Sequence, residues 1–517
     1  MEKTSKNLLY AQLGAVILIL IALGFGKIPT LAGSILVFGV IGLFGAMFKP
    51  RFLGMARYYI HLAVLSVVVV MTSTFFPFIG GKDYFFRFSV ELALVFFILW
   101  WAFEAKSGEA EALISGVYKK PIFIAVTLFV LVFLLASVFA YDPHAAFWSN
   151  YERGEGGFEM LHYYAFFTLL ILLLRKESDW RPFLKTSLAA ATLMILYGVF
   201  ANLGWAANFI SPWQGGALPA GLWGKLVGTR FQGSLGNPAY VAPYLMFAMF
   251  YALYLWASRE KVRGGPEKIR SGAGGKSNKK WLRGLGYGVL AIIFFFFFLL
   301  SQTRGAFLGF GAAIFAFLLY LILFNPIFRK RAAAALAAVL LLTGVLFLLK
   351  NQPMIKSLPF SRLFEISFKD QTAQTRFWTW GSAWQGFLER PVLGWGAENF
   401  SPVFDKYFNP NHYLPGQNSE TWFDRAHSIF FDYLTETGVL GLLSYLSIFA
   451  AICWGLFKKR GSPGGEHPPV AGALMVALPI GYLVQGVAIF DVLPMYLNLF
   501  LFFAFSYHYL YGHETNA

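Results

Sequence analysis

Arg230 precedes a Gly-Asn-Pro turn in RFQGSLGNP, and Arg304 lies at the edge of a hydrophobic run in SQTRGA. A guanidinium is planar and always charged, and its fork matches phosphate oxygens two at a time. An arginine close to hydrocarbon is costly unless something pairs with it, which makes both positions functional candidates. The plainer alternative is an interfacial arginine that snorkels to lipid headgroups.

Of eight histidines, His427 opens a long apolar run and stands where a polar loop meets it. A free imidazole titrates near about 6.5 and needs little tuning to act as a base at neutral pH. Its plainer alternative is a helix-start histidine satisfied by water or backbone. Arg425, two residues earlier, would disfavour a protonated imidazole. Arg376 and Glu398 share the loop and could position a substrate, or be solvated surface charges. Asp142, Arg153 and Glu155, in YDPHAAFWSNYERGEGG, are weaker candidates of the same kind.

These residues belong to a chain built for lipid. Of its 517 residues 57% are hydrophobic and 13% charged, and Phe alone occurs 58 times. A soluble domain could not hide that apolar surface. A helix needs roughly 20 apolar residues to cross a bilayer, and backbone polar groups in lipid must be satisfied within the segment. The runs do not alternate as barrel strands would. The expectation is an all-α, polytopic membrane protein with about fourteen spans. They fall near residues 8–25, 30–48, 58–78, 88–103, 121–140, 158–174, 186–205, 240–257, 285–301, 306–324, 332–349, 429–456, 469–489 and 492–511. The first is no cleaved signal peptide, since it lacks a small-x-small site and a second run follows at once. The organisation expected is N-terminal helices over 1–140 and a central region over 141–349 with a linker at 258–284. A large extracytoplasmic loop over 350–428 and C-terminal helices over 429–517 follow.

Lys and Arg crowd alternate connections, among them Lys3 and Lys6, Lys49 to Arg57, Lys106 to Lys120, Arg329 to Arg331 and Lys458 to Arg460. That asymmetry places both termini in the cytoplasm and the chain in the cytoplasmic membrane. It also accounts for the net charge of +16 without a nucleic-acid partner. The linker contains GAGGKS, but Arg270 stands where a phosphate loop needs glycine, so it reads as a topogenic basic loop, with contact to anionic headgroups as the alternative. The single cysteine, Cys453, can form no internal disulfide. Arg376, Trp380, Trp384 and Phe387 recur at helical spacing, which predicts an amphipathic helix at the membrane surface.

Taken together, FWSNYERGEGG, TRFQGSLGNPAYVAPYL, SQTRGAFLGFG, RFWTWGSAWQGFLERPVLGWGAENF and HSIFFDYLTETGVLGLL resemble, in order and spacing, the O-antigen ligase and polymerase superfamily. The resemblance runs from about residue 141 to 445. It implies a membrane glycosyltransferase of the C-type that moves a glycan from a polyprenyl diphosphate carrier to an acceptor hydroxyl on the outer face. His427, followed after ten residues by Gly438, resembles the family's catalytic histidine motif. Arg230, Arg304, Arg376, Arg425, Glu398 and Arg153 are then expected to bind substrate. The outer loops hold no paired aspartates, so the diphosphate is expected to be met by arginine with no metal and no cofactor. The partners implied are the lipid-linked glycan, membrane lipids and an acceptor glycolipid, glycan or protein. Polymerase and protein O-glycosylation activities fit the same motifs. A lipid-linked glycan transporter is the competing class, but it would need midplane ionisable sites or repeats, and Glu91 is the clearest mid-span acid.

Overall fold

The computed structural model describes residues 51–74, 76–150, 154–204, 230–258, 277–356, 361, 370–413, 421–459 and 469–512. The runs expected to span at 8–25 and 30–48, Arg153 and most of the linker lie outside the described residues. Within them are 17 α-helices and no strand. In chain order these are α1 (Phe52–Ala63), α2 (Gly80–Phe103), α3 (Glu109–Ile114), α4 (Pro121–Val138), α5 (Pro143–Trp148) and α6 (Gly157–Leu173). Next come α7 (Glu177–Asn202), α8 (Pro238–Ala257), α9 (Ser277–Leu300), α10 (Arg304–Phe324), α11 (Arg329–Leu348) and α12 (Pro353–Lys356). The series ends with α13 (Gln371–Glu389), α14 (Phe400–Lys406), α15 (Ile429–Lys459), α16 (Pro469–Gly486) and α17 (Leu493–Tyr511). Seven of them (α2, α4, α7, α8, α10, α11 and α15) are long and apolar enough to cross a membrane, and four stretches of shorter apolar helix accompany them. The protein is therefore a polytopic helical membrane protein.

Two helices form the centre. α8 starts with Asn237 accepting the Ala239 N–H at 2.9 Å and Pro238 at its first position, a start signal that suits its missing donor. Nearly all of α8 and α17 is buried, with Phe250, Tyr254, Phe502 and Phe505 interlocking edge to face. Lipid tails are as apolar as leucine, so helices in a bilayer associate through close packing. The α10–α16 pair does this with small residues. A Cβ on Gly481 would lie 2.9 Å from both the Ala313 Cβ and the Gly309 carbonyl, so the backbones touch. That approach sets the start of α10, and Arg304 with it, beside the turn that leaves α16: a Cβ on Gly305 would stand 3.7 Å from the Gln485 carbonyl.

Two expected spans are interrupted. The run at 58–78 becomes α1, a 3-10 segment over Val64–Val68, and then extended and turn backbone. The run at 429–456 is two helices across a break at Gly438, where φ is 66° and ψ −169°. The break frees carbonyls at the end of the first piece, and the chain after α13 takes them: Trp395 N–H donates to Thr435 at 2.9 Å and Gly396 N–H to Glu436 at 2.7 Å. The Val439 N–H beyond the break donates to Pro391 at 2.9 Å. The loop after α13 thus supplies the bonds the broken helix lacks. α13 forms where the aromatic spacing predicts a helix. Its Trp380 indole lies against Phe431 of α15, while Trp384 and Leu388 are exposed.

Candidate functional site

The two arginines flagged at span ends meet the same short segment. The Phe231 N–H donates to the Leu300 carbonyl at 3.0 Å, which lays residues 230–231 along the end of α9. The Arg230 guanidinium donates from Nε to the Ser301 carbonyl at 3.1 Å and from an Nη to the Thr303 hydroxyl at 3.4 Å. Arg304 is the next residue. Its guanidinium pairs with Asp370, the residue that precedes α13. Both side chains are partly buried. Two cationic forks therefore stand around one short segment, with a loop carboxylate on one of them.

His427 reaches that end of the bundle through the turn between α16 and α17. Its ring stands edge-on to Phe490 at 5.0 Å and to Phe423 at 5.4 Å. Phe490 also meets Tyr240 of α8 at 6.0 Å, and the Pro238 carbonyl at the start of α8 accepts the Thr303 hydroxyl at 3.1 Å. His427 Nδ1 is 3.2 Å from the Arg425 carbonyl. With the proton on Nδ1, that hydrogen bond leaves Nε2 as the basic nitrogen.

The backbone around His427 is held from several directions. The Ala426 N–H donates to Asp432 Oδ1 at 2.7 Å, the Ala426 carbonyl accepts the Trp380 indole at 3.0 Å, and the Ile429 N–H donates to Ile489 at 3.0 Å. His427 itself has φ 57°, a left-handed conformation rare for a residue with a Cβ. Such a residue costs of order 1–3 kcal/mol and persists only where its surroundings over-determine it.

The Arg425 fork faces carboxylates. Its side chain is 8% exposed and enclosed by Glu436 at 2.8 Å, Glu155 at 3.2 Å and Glu398, whose own side chains are 6%, 3% and 4% exposed. Burial works against the Arg425 charge, but Glu398, Glu436 and Glu155 outweigh it and hold its pKa above the ordinary arginine range. The expectation that Arg425 tunes His427 by its charge is corrected accordingly: the guanidinium faces carboxylates, and the contact with His427 runs through the Arg425 carbonyl. Glu398 also has positive φ, 62°, and accepts from Asn150 at 3.3 Å. Arg376 lies partly buried on α13, and the acids that enclose Arg425 come from elsewhere in the chain. Arg153 lies outside the described residues.

A second ionic group joins α2 to α6. Arg87 pairs with the buried Glu159 and donates to the Gly154 carbonyl at 2.6 Å, and Glu91 is 3.0 Å from His162 Nε2. The mid-span acid noted in the sequence thus has a partner. Among the described residues no group of three or more His, Cys, Asp or Glu is arranged to hold a metal ion.

Sequence reasoning missed Asp370, Asp432 and Glu436. Asp432 and Glu436 carried a signal, being acids at the start of an otherwise apolar run. Asp370 carried none, because its partner is 66 residues away.

Two basic forks and a histidine are thus linked through the starts of α8 and α10 and the turn at Phe490 in an all-helical membrane protein. Residues 289–446 match the family model described as O-antigen ligase, a match over less than a third of the chain that supports the O-antigen ligase superfamily and a glycosyltransferase-like function. The matched stretch includes Arg304, Arg376, Glu398, Arg425 and His427 and leaves out Arg153 and Arg230. No curated protein matches the chain.

Proposed function

We propose that the protein transfers a glycan from a polyprenyl diphosphate carrier to an acceptor hydroxyl on the outer face of the cytoplasmic membrane, without a metal. The observation that carries this reading is the junction of Arg230, Arg304 and His427 through residues 300–304, the start of α8 and the turn at Phe490. Cleaving the sugar–phosphate bond leaves charge on the diphosphate, and preorganised donors facing that charge lower the barrier. Arg230 and Arg304 would supply them bidentately. The acceptor hydroxyl is a poor nucleophile. Nε2 of His427 would take its proton as the oxygen attacks the anomeric carbon, while Nδ1–H rests on the Arg425 carbonyl. The domain match supports glycosyltransferase-like chemistry of the ligase family, with lipid-linked glycan and acceptor as its general partners. The Lys/Arg asymmetry supports cytoplasmic termini and an outward-facing 350–428 segment.

Purified protein in nanodiscs, given a polyprenyl-diphosphate-linked glycan and a lipid acceptor, tests the reading. His427→Ala should lower transfer by about 10²–10⁴-fold with donor binding retained. Arg304→Lys should fail nearly as badly as Arg304→Ala, since lysine keeps the charge and loses the fork. Transfer that a chelator abolishes and Mg²⁺ restores, or that survives both substitutions, refutes it.

A further inference from the structure

We propose that Glu155, Glu398 and Glu436, gathered on Arg425, are positioning residues that hold His427 in its working conformation. This rests on the reading of His427 as the base.

The three carboxylates come from three separate parts of the chain. Glu155 lies just before α6, Glu398 in the loop after α13, and Glu436 two residues before the break in α15. Each reaches the same buried guanidinium. Both Nη atoms of Arg425 are occupied by these acids, and its carbonyl receives His427 Nδ1. The cluster therefore links the outer loop, the α5–α6 connection and the broken helix to the residue that orients the imidazole.

Two backbone facts make this more than an anchor. His427 and Glu398, at φ 57° and 62°, are both left-handed without being glycine, and the Arg425–Glu398 pair joins their segments. Releasing that pair lets both relax toward ordinary backbone, which would turn the imidazole away from the acceptor. The break at Gly438 belongs to the same device. It exposes the Glu436 carbonyl to the Gly396 N–H, two residues from Glu398, so the backbones that carry two of the acids are fastened together. A charge this buried is costly unless enclosed, and removing one partner disturbs the whole arrangement. In this arrangement the three acids act on the rate through His427.

A double-mutant cycle between Glu398→Gln and His427→Ala tests it, with kcat and KM measured for donor and acceptor. Glu398→Gln keeps the shape and removes the charge. It should lower kcat about tenfold, leave both KM values within about twofold, and cost little further once His427 is alanine, because coupled residues are not additive. An equal loss of kcat in both backgrounds overturns the proposal. So does a loss that falls on KM, which would make Glu398 a substrate contact. If His427→Ala alone leaves the rate intact, the assignment of the base fails and the positioning role falls with it. That outcome is distinct from additive losses, which sink only the positioning role. Glu155→Gln, which weakens the longest of the three pairs, carries the same cycle if Glu398→Gln does not fold.

Discussion

Substituting Gly438 by alanine should damage the protein out of proportion to one methyl group. At φ 66° a Cβ is strained wherever it points, by roughly 1–2 kcal/mol. Here it also has nowhere to go. It would press into the Val392 carbonyl and lie 2.7 Å from the Leu393 nitrogen, both of them backbone. The 391–396 segment must withdraw, and its three shortest bonds across the break are Val439 N–H to the Pro391 carbonyl, Trp395 N–H to the Thr435 carbonyl and Gly396 N–H to the Glu436 carbonyl. At about 1 kcal/mol net each, their loss with the backbone strain comes to roughly 4–5 kcal/mol. That is comparable to the whole margin of many domains. Gly344 is the control. It lies in α11, and a Cβ there would enter open space with no neighbour within 4 Å, so alanine should cost nothing and could gain up to about 1 kcal/mol. Thermal unfolding in detergent, followed by size-exclusion fluorescence, compares the two. A Gly438→Ala protein that unfolds with Gly344→Ala and the parent, and transfers at their rate, would show that the break in α15 is not needed and would refute the reasoning built on it.

Asp370→Asn should lower the donor KM severalfold, because Asp370 occupies Arg304 where the proposed diphosphate would bind; an unchanged or higher KM in a donor titration counts against that competition. His412 is buried in a box of Trp378, Phe404, Phe408 and Phe423, and neither ring nitrogen has a hydrogen-bond partner among the described residues. Burial lowers its pKa from 6.5, so the unfolded chain binds a proton the folded one refuses, and stability falls as pH drops below about 6.5. His412→Phe should remove that acid-side loss, which thermal unfolding at pH 5 and pH 7.5 would reveal as a smaller difference between the two than in the parent. In a Cys453→Ala background, an impermeant maleimide added to intact cells should label Asn411→Cys and spare Ser107→Cys, and the reverse pattern would put the proposed site in the wrong compartment.

What the sequence makes legible follows from what lipid penalises. Apolar runs announce spans, because a bilayer tolerates little else, and α2, α4, α7, α8, α10 and α11 stand where such runs occur. The breaks are harder to see. Val64–Val68 interrupts its run with no change in hydropathy, while the break at Gly438 is hinted at only by the glycine and the polar Thr435, Glu436 and Thr437 before it. Charges near hydrocarbon are visible for the same energetic reason, which is why Arg230, Arg304, Arg425 and His427 stand out without a structure. Their partners are not visible, because a partner is a matter of convergence. Arg425 reads as a substrate-binding fork from its place in the loop. It is instead filled by acids at positions 155, 398 and 436, of which Glu155 is 270 residues away. The cost of burying a charge shows in one segment that a compensating group must exist. Whether that group is a phosphate or a carboxylate depends on the other segments that arrive, and those are set by packing such as the Gly309–Gly481 approach. Arg304 and Arg425 both carry a carboxylate, but the Arg304–Asp370 pair is 29% and 21% exposed, so an incoming phosphate can compete for the fork there, as it cannot for the sealed guanidinium of Arg425.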